Sequence, residues 1–244
     1  AHVVVTYTVT GDGVVKVDMD YKKVEGLPAI PDFGILFTLP VDYDQIKYYG
    51  LGPCDNYIDR KEGGKLGIFT TTTQDEIQPY LVPQECGNHC DVRWFEVTDR
   101  RGRGVRISSA TPFEASALPY NPHELENARH HYDLARPHHT VVRASAGMYG
   151  VGGDDSWGAS TLDEYITKNE DKHFSINITP YKPVYVLQMK GNNSISAVTG
   201  RPGIENGTLT ENITQTFPEF HLNNLTKGKC SLIEFTKHNN FKNR

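Results

Sequence analysis

A chain of 244 residues, 37% hydrophobic, carries 25 basic and 30 acidic side chains for a formal charge of -5, so it can build a proper core and is not disordered as a whole. The charges are spread without long like-charge runs, which argues against nucleic acid or an anionic membrane as the main partner. No apolar run reaches membrane-spanning length, and Ala1-His2-Val3-Val4-Val5 resembles an internal cut rather than a signal peptide, leaving the compartment unread, with cytoplasm favoured over periplasm.

Val3 to Tyr21 reads as a hairpin, two β-branched runs of near-alternating polarity split by Gly11-Asp12-Gly13. Pro28, Pro31 and Gly34 break the chain before an apolar strand at Ile35–Leu39, and another strand covers Gln45–Tyr49. The next loop, Gly50-Leu-Gly-Pro-Cys-Asp-Asn-Tyr-Ile-Asp-Arg60, is dense in turn formers, and an ion-pair lattice of Arg60 with Asp59 and Asp55 is expected to hold it. Strands are expected at Leu66–Thr73, Gln78–Val82, Asp91–Val97, Val105–Ser109 and Phe113–Leu118. One short helix has Asn121 as N-cap, Pro122 at its first position, Glu124 and Glu126 in its first turns, and Arg129, His130 and His131 near its end. Strands at Thr140–Ala146 and Lys172–Thr179 follow, the latter with Phe174, Ile176 and Ile178 on one face. Beyond Pro180 the chain turns Asn- and Thr-rich, with short strand candidates at Val184–Met189, Thr208–Ile213 and Ser231–Phe235 and a frayed end from His238 to Arg244. Many short strands punctuated by Gly and Pro, with one helix, give an all-β sandwich.

Metal chemistry is weakly signalled. Cys54, Cys86, Cys90 and Cys230 are too few and too irregularly spaced for a disulfide framework, and Cys86-Gly-Asn-His89-Cys90 lacks a second cluster to complete a zinc site. His130, His131, His138 and His139 lack a carboxylate at ligand spacing and read as ordinary loop histidines, so no metal ligand is assigned.

The functional candidate is Gly150-Val-Gly-Gly-Asp-Asp-Ser-Trp-Gly158. Four glycines mean a backbone that bends where other residues do not, and two carboxylates lie beside one of only two tryptophans. An aromatic face with adjacent acceptors suits a sugar, which would make Trp157, Asp154 and Asp155 substrate-binding. The competing reading is a tight turn capped by Asp154 or Asp155, with Trp157 in the core.

Gly50 to Arg60, Tyr80-Leu-Val-Pro-Gln-Glu-Cys-Gly-Asn88 with Asp91-Val-Arg-Trp94, His131-Tyr-Asp-Leu134 and Gly150 to Gly158 follow one another as the signatures of a known domain. The chain resembles the C-terminal small-chain domain, domain 5, of the family 2 β-galactosidases. That resemblance implies a galactose-mutarotase-like β-supersandwich over residues 1–182, incomplete at its N-terminus; residues 183–244 lie outside it and read as an unassigned Asn- and Thr-rich β extension. It implies that Trp157 forms an aromatic platform at the mouth of a catalytic barrel, that Asp154 and Asp155 shape the loop, and that Asn56 to Arg60 is structural. The departures are His89, where the resemblance leads one to expect arginine, and Gly147-Met148-Tyr149 in place of a more polar approach.

Retaining glycoside hydrolysis needs two carboxylates about 5 Å apart. In this family both come from the barrel, whose motifs are not found in these residues, so no catalytic residue is assigned and the isolated chain is expected to be inactive. The implied partners are a β-galactoside and the remaining domains or large subunit, in a homo-oligomer when full length. No cofactor is expected in this chain, magnesium and sodium belonging to the full-length enzymes. A two-chain enzyme's small subunit and a free-standing carbohydrate-binding module are the alternatives. An aldose-epimerase-like enzyme would need Glu85 to face His89 or His131.

Overall fold

The computed structural model describes residues 2–155 and 157–181, together with the backbone of residues 184–190, 194–200 and 213–217. It divides into two compact units, Ala1–Arg100 with Gly104–Pro180, and Arg101–Arg103 with Tyr181–Arg244.

The first unit begins with the expected hairpin. Strand β1 (His2–Val9) pairs antiparallel with β2 (Val15–Lys22), and the turn closes where Gly13 N–H donates to the Thr10 carbonyl at 2.9 Å. Seven further strands complete the sheet: β3 (Asp32–Pro40), β4 (Gln45–Gly52), β5 (Lys65–Thr72), β6 (His89–Thr98), β7 (Gly104–Leu118), β8 (His139–Met148) and β9 (Lys172–Tyr181). Their order is β1-β2-β9-β7-β6-β4-β5, with β8 joining β7 and β3 joining β8.

Alternation in these strands does what the period-2 geometry requires. Val17, Met19 and Tyr21 of β2 face inward, as do Ile46 and Tyr48 of β4, Phe95 and Val97 of β6, Val142 and Ala144 of β8, and Phe174 and Ile176 of β9. These side chains meet in one core, and the described residues are nearly all β, with antiparallel pairing consistent with an all-β sandwich. Strand β1 is different: it is an outer strand exposed along its whole length, with Val4 63%, Tyr7 65% and Val9 69% accessible.

Three expectations about elements change. Gln78–Val82 is not a strand: Pro79 removes a backbone donor within it and Pro83 another just beyond it, and two of the donors left turn to local partners, Gln78 N–H to Cys86 Sγ and Tyr80 N–H to the Gln78 carbonyl. Val105–Ser109 and Phe113–Leu118 are parts of the single strand β7, which pairs with β6 through a register shift and gives residues 114–118 to β8. Helix α1 (Pro122–Asn127) starts as expected, with the Asn121 side chain accepting from Glu124 N–H at 2.9 Å and Glu124 Oε2 accepting from Asn121 N–H at 2.7 Å. It stops earlier than expected, because Ala128 is extended, and Arg129, His130 and His131 lie beyond it.

The second unit shows a three-stranded antiparallel meander of β10 (Val184–Lys190), β11 (Ser194–Gly200) and β12 (Ile213–Phe217). Of the strand candidates there, Val184–Met189 coincides with β10. Thr208–Ile213 lies outside the described residues except at Ile213, and Ser231–Phe235, Cys230 and the frayed end lie outside them entirely.

Candidate functional site

The glycine loop leaves the end of β8 and is fastened to the protein at its base. Tyr149 N–H donates to the Pro31 carbonyl at 2.8 Å, Gly150 N–H to the Tyr165 carbonyl at 3.0 Å, and Thr161 Oγ1 to the Gly150 carbonyl at 2.8 Å. Asp59 and Arg60 then hold both sides of one residue: Asp59 Oδ2 accepts from Gly152 N–H at 2.8 Å, and the Arg60 guanidinium donates to the Gly152 carbonyl. Glycine is required on both counts. At Gly150 a Cβ would fall 2.8 Å from the Asp59 carboxylate, and Gly152 has φ +64°.

The expected ion-pair lattice of Asp55, Asp59 and Arg60 is therefore replaced by side chain to backbone bonds. Asp55 accepts from Gly87 N–H at 3.2 Å, while Asp59 and Arg60 turn to Gly152. The physical reason is the number of unpaired peptide groups in these glycine-rich bends, each needing a partner where the loops pack together. The 50–60 loop is itself tied down by Asn56, whose Nδ2 donates to the carbonyls of Leu51 and Cys54 at 3.0 Å and whose Oδ1 accepts from Cys90 N–H at 2.8 Å. Asn88 completes the lock, donating to the Asn56 carbonyl and to Glu114 Oε2 at 2.9 Å while accepting from Arg143 Nη2 at 2.8 Å.

At the tip, Asp155 Oδ1 accepts from Trp157 N–H at 2.8 Å and from Ala159 N–H at 3.0 Å, and Gly153 N–H reaches the Ala159 carbonyl at 2.7 Å. Asp155 is thus occupied with its own turn. Asp154 is exposed beside it, and Trp157 is 93% exposed. The competing reading thus holds for the turn, which Asp155 caps, and fails for Trp157, whose side chain lies outside the packed interior.

The epimerase-type pairs do not form. Glu85 meets Arg143 at 3.2 Å, His89 Nε2 lies 3.1 Å from Glu76 Oε2 with Tyr48 stacked on its ring at 4.1 Å, and His131 Nε2 lies 2.6 Å from the Tyr80 carbonyl. Cys86, His89 and Cys90 also go separate ways, Cys86 Sγ to Gln78 N–H and Cys90 Sγ to the Asn56 carbonyl.

Known proteins give this arrangement a family. Residues 1–178 match the family model described as beta galactosidase small chain. The chain belongs to that family. Among relatives of this small chain, a β-galactosidase of Priestia megaterium is 44% identical over 161 residues, which is 66% of this chain and 16% of the relative. Bifidobacterium adolescentis β-galactosidase BgaC is 44% identical over 181 residues, covering 72% of this chain and 17% of the relative. A β-galactosidase small subunit from Latilactobacillus sakei is 36% identical over 187 residues, covering 72% of this chain and 58% of that subunit. The small-chain match thus spans about a sixth of the length of the long relatives.

Histidine was where sequence reading missed a grouping. One donor atom from each of Glu124, His138 and His139 lies within 4.8 Å of the others. The carboxylate absent at ligand spacing comes from the first turn of α1, a non-local contact that no periodicity reveals.

Proposed function

We propose that this small chain serves a β-galactosidase that removes terminal non-reducing β-D-galactose, and that it acts only with a barrel domain or large subunit carrying both catalytic carboxylates. Its contribution is scaffold and Trp157, an aromatic platform for the galactoside, with Asp154 and Asp155 shaping the loop rather than doing chemistry. The carrying observation is a fully presented indole, 93% exposed, on a loop clasped from beneath at Gly152. An exposed indole beside the Asp154 carboxylate offers the apolar face and the hydrogen-bond acceptor that a sugar uses. The outward apolar side chains of β1 support a chain that packs against further protein, since an outer strand with bare Val4, Tyr7 and Val9 invites pairing.

The naming of the Latilactobacillus sakei relative as a small subunit favours the two-chain arrangement as a second reading. In either arrangement we place the retaining chemistry, and the magnesium and sodium that the resemblance implies for the full-length enzymes, outside these 244 residues. The assembled enzyme is proposed to be a homo-oligomer.

Two assays on the chain test this proposal: hydrolysis of a chromogenic β-galactoside, and titration of tryptophan fluorescence with lactose and galactose. Absence of turnover, with sugar binding no tighter than millimolar, is the expected result. Turnover by the chain alone would overturn the dependent-domain reading, and tight binding lost in Trp157→Ala would favour a free-standing carbohydrate-binding module.

A further inference from the structure

We propose that Glu124, His138 and His139 form a binding site for a divalent transition-metal ion of the zinc class, separate from the Trp157 loop. Two imidazoles and one carboxylate are the donor set that suits zinc, nickel or copper, whereas magnesium and calcium favour oxygen donors alone.

The spacing fits. His139 Nε2 lies 2.9 Å from Glu124 Oε2, and His138 Nε2 lies 3.8 Å from Glu124 Oε1. Tetrahedral donors bound at about 2.0–2.1 Å stand roughly 3.3 Å apart, so the two separations bracket the bound value and small torsional changes would reach it.

The backbone arrangement is also directed. Consecutive residues in an extended segment point to opposite faces. His138 and His139, at the entry to β8, instead turn both rings to one carboxylate, with centroids 4.1 Å apart and planes at 52°. Glu124 is held from behind by the capping box, where its Oε2 accepts from Asn121 N–H at 2.7 Å. A hydrogen bond of that kind is what orients a carboxylate ligand. His139 and Glu124 are 17% and 28% exposed and His138 is 65% exposed, so the remaining coordination positions face water. An ion here would tie the start of α1 to the start of β8, closing the segment between them.

Zinc chloride titrated into the chain by calorimetry, with melting temperature followed in parallel, tests the site. The expected result is one saturable equivalent and a rise in melting temperature. Glu124→Gln keeps an oxygen acceptor for the capping box, and His138→Ala removes a largely exposed ring, so neither should unfold the protein. Each is expected to weaken zinc binding tenfold or more and to abolish the thermal shift, whereas His130→Ala leaves both unchanged. Failure of the parent chain to bind saturably overturns the proposal, as does unchanged affinity in His138→Ala. Circular dichroism of the metal-free variants separates loss of the site from loss of the fold. If Glu124→Gln unfolds, His138→Ala decides alone.

Discussion

Asp59 accepts the backbone N–H of Gly152 at 2.8 Å across 93 positions of sequence, and through that bond the loop after β4 supports the loop after β8. Replacing Asp59 by Ala removes the acceptor and leaves the Gly152 amide without its charged partner. Hydrogen bonds to charged groups contribute about 1.5–3 kcal/mol, and a local loss of that size is expected to appear as faster hydrogen exchange at Gly152, with amides of the β6 core unchanged. Unaltered exchange at Gly152 would show that the clasp does not hold the loop.

Trp157 is nearly free of packing, so Trp157→Ala should change global stability by no more than about 0.5 kcal/mol in urea unfolding. On the proposed role of Trp157, the same substitution in an assembled enzyme is expected to weaken galactoside use by about 0.5–1.5 kcal/mol, the scale of an aromatic stacking contact, with Trp157→Phe recovering part of it. A large stability loss would mean that the indole packs inside after all.

Burial raises the Glu114 carboxyl above its ordinary value of 4.5, against the opposing hydrogen bond from Asn88 and the charge of Arg143. The folded chain therefore holds this proton to higher pH than the unfolded chain does. Stability contributed by the protonated group is present below pH 4.5 and is lost as pH rises towards the folded value. Urea unfolding of the parent and Glu114→Gln across that window reads the effect: the parent's stability relative to the variant should fall with rising pH and then level off. A constant difference would deny the raised value.

Cys86 and Cys90 are buried, and desolvation lifts the Cys86 thiol to about 11 and the Cys90 thiol above its ordinary value too. Brief iodoacetamide treatment of the native chain, read by peptide mass spectrometry, should label exposed Cys54 and spare both, while urea makes all three reactive. Labelling of Cys90 without denaturant would contradict its burial.

What could be read from sequence was local. The Val3 to Tyr21 hairpin was legible because two alternating runs and a Gly-Asp-Gly turn lie within one short segment, and the α1 cap because Asn121, Pro122 and Glu124 are neighbours. Gln78–Val82 misled because apolar content outweighed two prolines. The glycine loop announced itself by composition, yet its fastening did not. Asp59 and Arg60 meeting Gly152, Asn88 meeting Arg143, and Glu124 meeting the paired histidines are contacts between segments distant in the chain, fixed by topology rather than by spacing. Asp55, Asp59 and Arg60 looked like charges for one another because nothing local showed how many peptide groups would need them.

The turn closed by Asp155 has a thermodynamic corollary. Ordering a mobile segment on contact costs roughly 1–2 kcal/mol for each residue whose backbone must be fixed. Here the fixing of Gly150, Gly152, Gly153, Trp157 and Ala159 is already done by hydrogen bonds within the chain. An indole carried on such a mount surrenders little more than its own side-chain rotations on meeting a surface, so ordering of the loop adds little to the entropy that any association loses.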